Sequence, residues 1–158
     1  MGAFASFAQE KDEEVTTYYL IRHAEKDRTD KSNRNPFLTI KGNERAKLWA
    51  KVLSDANINM VYTTNYNRTK QTAQPTAKKN GLRLYMYNPR KMYDEGFKYN
   101  TKGKNVLIVG HSNTTNAFAN KILGEEKFGK IDDSNNSNLY IVTVTKDSAT
   151  GVLLKIDH

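Results

Sequence analysis

Apolar residues along this chain switch between two spacings, the period of two typical of strands and the period near 3.6 typical of helices. Thr17 to Arg22 is β-branched and aromatic enough for a strand, and the polar stretch Glu25 to Pro36 after it reads as loop. Leu38 leads into a helix capped by Thr39, with Ala46, Trp49, Ala50 and Leu53 forming its buried stripe. Asn59 to Thr64 is the second strand. A helix from about Tyr66 toward Lys79 follows, bent or restarted by Pro75 and ended by Gly81. Arg83 to Tyr87 is the third strand, and Tyr93 to Gly103 has room for about two helical turns. Asn105 to Gly110 is a continuous apolar run, the mark of a central strand buried on both faces. Ser112 or Asn113 caps a helix through Leu123 that Gly124 stops. Two last strands, Leu139 to Thr145 and Val152 to Ile156, flank a turn. This order predicts an α/β fold: a three-layer α/β/α sandwich, its sheet mostly parallel, with an antiparallel hairpin at the C-terminal end.

The 158 residues suffice for one core, assigned to residues 16–158 behind a tail of residues 1–15. In that tail, small apolar residues from Ala3 to Ala8 precede the polar stretch beginning at Gln9. Two readings stay open: a signal-peptide remnant, which implies export to the periplasm, or an ordinary terminus of a cytoplasmic protein. No apolar run approaches the roughly 18 residues of a membrane span. Cysteine is absent, which removes disulfides, thiol nucleophiles and Cys-ligated metals.

Net charge is +8, and the segment from Asn65 to Lys104 carries all of the excess, with ten Lys and Arg against two acids. That points to an anionic partner, either a phosphorylated small molecule or a nucleic acid. Tyr66, Tyr85, Tyr87 and Tyr93 interleave the basic residues as base-stacking groups would, but Tyr85 and Tyr87 share the face of a strand that helices must cover. Core packing is the better use for them, so nucleic acid is not the expected partner. Lys78-Lys79 and Arg90-Lys91 read as solvated faces.

Open α/β sheets place their sites at the carboxyl ends of strands. Arg22-His23 ends the first strand and Gly110-His111 ends the central one. No Gly-rich phosphate loop follows any strand, so no nucleotide cofactor is indicated, and no metal is expected either. A neutral imidazole accepts a phosphoryl group when one ring nitrogen keeps its lone pair and the other N–H is held by an acceptor. His23 is placed for this. Charge spread over the phosphoryl oxygens calls for positioned cations, and Arg22 and Arg68 supply guanidinium forks.

Three segments carry a family resemblance: Leu20 to Lys26 (LIRHAEK), Thr63 to Ala73 (TTNYNRTKQTA) and Val109 to Thr114 (VGHSNT). In order, they resemble the signature segments of the histidine phosphatase superfamily, also called phosphoglycerate mutase-like, across about Thr17 to Val144. The resemblance implies His23 as covalent nucleophile, with Arg22, Arg68 and His111 binding the phosphate and no cofactor. His111, protonated by the bound phosphate, would be a third cation. Asn113 and Thr114 add neutral donors at a helix start. Ala24 replaces the commonest Gly of the motif.

The leaving oxygen requires a proton. Mutases of the family carry a Glu in an insertion between the second and third segments; here the short interval offers Asp94 and Glu95. Glu25 is the other candidate, unless it pairs with Lys26 or Arg28. The sequence does not choose between them. With little chain to enclose an intermediate, hydrolysis is expected over mutase-type phosphotransfer. The compact form resembles the small phosphohistidine phosphatases. A phosphorylated small molecule is the expected substrate, with a protein phosphohistidine as the alternative.

Overall fold

The computed structural model describes residues 2–3 and 14–157. Most of the candidate signal-peptide segment, and the terminal His158, lie outside the described residues. The elements run β1 (Thr16–Arg22), α1 (Ile40–Val52), β2 (Met60–Thr63), α2 (Asn67–Lys79), β3 (Leu84–Met86), α3 (Glu95–Thr101), β4 (Asn105–Gly110), α4 (Thr115–Leu123), β5 (Asn138–Val144) and β6 (Ala149–Lys155). They form one six-stranded sheet in the order β3-β2-β4-β1-β5-β6. Pairings of β1 with β4, β2 with β4 and β2 with β3 are parallel, while β5 runs antiparallel to both β1 and β6. The expected sandwich, mostly parallel with a C-terminal hairpin, is the observed fold.

Alternation along the central strands builds its two cores. Tyr18 and Leu20 of β1, with Val106 and Ile108 of β4, pack under Phe97 of α3 and Phe118 of α4. Ile21, Leu107 and Val109 face the other way, onto Trp49 of α1 and Ala73 and Ala77 of α2. Tyr85 and Tyr87 pack against the first of these cores and Tyr93 lies edge-on to Tyr18, so three of the four tyrosines weighed for base stacking serve the interior. No described helix is long and apolar enough to cross a membrane.

Two helix details depart from expectation. α2 runs unbroken through Pro75 and ends where Asn80 and Gly81 turn the chain: Leu82 N–H donates to Ala77 O and Gly81 N–H to Lys78 O, with Gly81 at φ +65°. α4 begins at Thr115 with Thr114 as its flanking residue, so neither Ser112 nor Asn113 caps it. The Thr114 hydroxyl instead accepts from the N–H of His111, which leaves Ser112 and Asn113 on the wall of a cavity.

Two further features bring the chain around the carboxyl ends of β1 and β4. α1 lies so close to the loop after β1 that a Cβ on Gly42 would fall 2.2 Å from the carbonyl oxygen of Glu25. The connection from α4 to β5 is anchored in the core by Phe128 and Ile131, and the Asn120 side chain bonds both ways with the Phe128 backbone. That anchoring holds residues 132–136 over Arg22 and His23.

Candidate active site

His23 and His111 follow neighbouring parallel strands, with Arg22 paired to Gly110 in the register, so their rings come to 5.6 Å between centroids, edge to face. Both line a cavity of about 320 Å³ that also receives Arg22, Arg68 and Asn113. With Thr114, which lines it too, six of the nine candidate residues thus meet in one place.

His23 is fixed from several sides. Its N–H donates to Gly110 O, its carbonyl accepts from Asn136 Nδ2, and the next N–H, of Ala24, donates to the Thr72 hydroxyl. The ring Nδ1 lies 2.7 Å from the Ala24 carbonyl oxygen. A carbonyl only accepts, so Nδ1 carries the proton, and Nε2 keeps its lone pair with no hydrogen-bond partner among the described residues. Burial lowers the His23 pKa to about 3, and the charges of Arg22, Arg68 and His111 act in the same direction.

His111 takes the other tautomer. Its Nδ1 faces Arg68 Nη2 at 3.4 Å, which can only donate, so Nε2–H donates to the Thr64 hydroxyl at 2.8 Å. Thr64 is itself held at 3.0 Å by the Thr69 hydroxyl. Desolvation, then Arg68, Lys26 and Arg22, lower the His111 pKa to about 4, so on its own it is a neutral imidazole. A bound phosphate dianion reverses those last effects and draws a proton onto Nδ1.

Arg22 is a buried cation and Arg68 a half-buried one, and each keeps a guanidinium N–H without a partner. Arg22 is 3% exposed; its Nη1 donates to the carbonyls of Asp132, Asp133 and Asn135, and its Nη2 to the Asp133 carboxylate at 3.0 Å. The fork expected to face phosphate is therefore held by the loop before β5, and its Nε is buried without a partner. The Arg68 Nε is unpartnered too, while its guanidinium stacks 4.6 Å from the centre of the Tyr66 ring. Unpaired buried N–H groups of a cation are costly, and both of these belong to residues that line the cavity.

None of the three candidate proton donors, Glu25, Asp94 and Glu95, lines this cavity. Glu25 pairs not with Lys26 or Arg28 but with Arg45: Nε lies 2.9 Å and Nη2 2.8 Å from its carboxylate oxygens. Burial pushes the Glu25 carboxyl up, but the hydrogen bonds and charge of Arg45, with Lys41 behind, outweigh it and hold the group ionised below its ordinary value. Asp94 caps α3, accepting from Phe97 N–H, and the neighbouring Glu95 pairs with Lys98 on the surface. The carboxylate that does line the cavity is Asp133, whose pKa is lowered first by its hydrogen bond to Arg28 and then by the charges of Arg28 and Arg22.

Sequence reasoning missed Asp133, Lys26 and Thr64. Asp133 is 110 positions from His23 in a loop with no motif of its own, and Thr64 declares itself only through its contact with His111.

The model of the histidine phosphatase superfamily (branch 1) matches residues 18–88. No curated protein matches the chain by sequence. Among solved structures, the protein histidine phosphatase SixA complexed with tungstate is 15% identical and superposes with a TM-score of 0.69 over 88% of this chain and 96% of that one. A mycobacterial glucosyl-3-phosphoglycerate phosphatase with inorganic phosphate is 12% identical, with a TM-score of 0.64 over 90% of this chain and 97% of the other. At these identities the likeness is one of fold.

Proposed function

For a chain that carries the sequence model and the fold of the histidine phosphatase superfamily, we propose a metal-independent phosphomonoesterase that works through a phosphohistidine on a small phosphorylated molecule. One observation carries this reading: a neutral His23 with a free Nε2 shares its cavity with Arg22 and Arg68, each of which keeps a buried Nε–H without a partner.

The substrate phosphate binds to Arg22 Nε, Arg68 and His111, and His111 gains its second proton as the dianion arrives. The lone pair of His23 Nε2 attacks phosphorus, the bond from phosphorus to the ester oxygen breaks, and the electron pair leaves with that oxygen, which takes a proton from solvent water. The ring keeps its Nδ1 proton on the Ala24 carbonyl and carries the resulting positive charge beside the phosphoryl oxygens. Water then attacks phosphorus and gives a proton to solvent, the P–N bond breaks with its electron pair returning to Nε2, and inorganic phosphate and neutral His23 are regenerated. Lys26 and the donors of Ser112 and Asn113 complete the cationic, hydrogen-bonding wall.

A second reading, a phosphohistidine phosphatase, is favoured by the positions of the carboxylates. Glu25 is locked to Arg45, Asp94 caps a helix and Asp133 is ionised, which leaves proton donation to an ester oxygen weakly served. A phosphoramidate leaves through a nitrogen that binds its proton beforehand. Metal-free hydrolysis of p-nitrophenyl phosphate, sugar phosphates and a phosphohistidine peptide, with His23→Ala as control, tests both readings. Turnover that persists in EDTA and vanishes in the variant supports the phosphatase reading, and the faster substrate class chooses between the two. Strict dependence on a divalent ion, or an active variant, refutes it.

A further inference from the structure

The loop between β1 and α1 folds a second cavity, of about 590 Å³, against the first, and Lys26, Tyr66 and Arg68 line both. Its remaining charged lining is Lys31 and Arg34, and no carboxylate lines it. Four cations therefore wall one groove that shares Lys26, Tyr66 and Arg68 with the reaction cavity.

Other cations around the reaction cavity are paired with carboxylates. Arg22 and Arg28 share Asp133, and Arg45 holds Glu25. Among the described residues, Lys26, Lys31, Arg34 and Arg68 form no ion pair at all. The acids of their own loop are spent on local turns: Asp27 accepts from the backbone and hydroxyl of Thr29, and Asp30 from those of Ser32. Desolvation, then the charges of Arg68 and Arg28, already push the Lys26 pKa down, as crowded cations should. A polyanion laid in the groove relieves that repulsion. The same loop supports the reaction cavity, because the Arg34 carbonyl oxygen faces Arg68 Nη1 at 3.4 Å.

Resting on the phosphatase reading, we propose that this groove binds a second phosphate group of the substrate, so that the preferred substrates are small molecules carrying two phosphates. One phosphate occupies the reaction cavity beside His23 while the other meets Lys31 and Arg34, with Lys26 and Arg68 between the two cavities. A phosphate fits the groove better than a carboxylate because its dianion accepts from several donors at once. Tethering the second anion to the first replaces an independent binding event by an intramolecular one.

The test compares fructose 1,6-bisphosphate with fructose 1-phosphate and fructose 6-phosphate, in low and high salt, for the wild type and the Lys31→Ala/Arg34→Ala double variant. Both replaced side chains are exposed, so the variant should fold normally. In low salt the bisphosphate should exceed either monophosphate in kcat/KM by about tenfold or more, beyond the factor of two given by its second reactive group. That preference should shrink about tenfold in the double variant and also fall with added salt. A smaller preference, or one that the double variant retains, overturns the proposal. If the wild type hydrolyses no phosphate ester, the phosphatase reading fails separately. Calorimetric affinities for the same three sugar phosphates then decide the groove by the same tenfold criterion.

Discussion

Replacing Gly42 by Ala should both destabilise the protein and disarm its nucleophile. The new methyl would sit 2.2 Å from the Glu25 carbonyl oxygen, 3.0 Å from its carbon and 3.1 Å from its nitrogen, all of them backbone atoms. Relieving that contact requires α1 and the loop to part by about 1 Å, measured against ordinary van der Waals separation. The shift strains the N–H and hydroxyl bonds of Thr39 to the Glu25 carbonyl, 2.9 and 3.2 Å, which are worth about 1 kcal/mol each. Overpacking adds about 1–3 kcal/mol, while Ala gains about 1 kcal/mol over Gly in a helix. A net loss of about 3 kcal/mol remains, or a fall of about 6–12 °C in Tm for a chain of this size. Glu25 follows His23 by two residues, and the intervening Ala24 carbonyl holds the His23 ring, so a displacement near 1 Å should also cost up to about 100-fold in kcat. Calorimetric melting and p-nitrophenyl phosphate kinetics read the two effects. A variant that melts at or above the wild type with full turnover would show that α1 does not press on this loop.

Arg45→Ala leaves the Glu25 carboxylate, 20% exposed, without its main partner and should cost about 3 kcal/mol in urea denaturation; a loss below 1 kcal/mol would show that the pair is not structural. Thr64→Val removes the acceptor of the His111 Nε2–H and should lower kcat/KM about tenfold with a smaller change in stability; unchanged kinetics would remove Thr64 from the account. His23 and His111, at about 3 and 4 in the folded protein, have an ordinary value of 6.5. Over that interval the unfolded chain binds more protons, so their contribution to stability is complete above about pH 6.5 and is lost as pH falls toward 3. A His23→Asn/His111→Asn double variant should flatten that part of the stability profile, and an identical slope would contradict the buried neutral rings.

The parts of this molecule legible in its sequence are those dictated by local pattern. The apolar run of β4 matches its prediction residue for residue, because a strand buried on both faces has no other composition open to it. Thr39 caps α1 as expected, since its hydroxyl serves the N–H of Gly42 three residues on. The two histidines were legible as strand-end residues, and the parallel pairing of β1 with β4 brings them together. What escaped depends on contacts distant in sequence. Nothing local to Arg45 says that a charged residue on the buried stripe of α1 will meet Glu25, and nothing around Asp133 says that its loop will engage the Arg22 fork. The cap of α4 was misplaced because the hydroxyl of Thr114 turns back to His111 rather than into its helix.

The central claim is covalent chemistry at His23. Wild-type protein mixed with a ³²P-labelled phosphomonoester and denatured within the turnover time should carry label that is stable in base and labile in acid, and peptide mapping should place it on His23. His23→Ala should carry none and turn over no substrate. Label on Ser112 or His111, or turnover that survives in His23→Ala, would contradict the account.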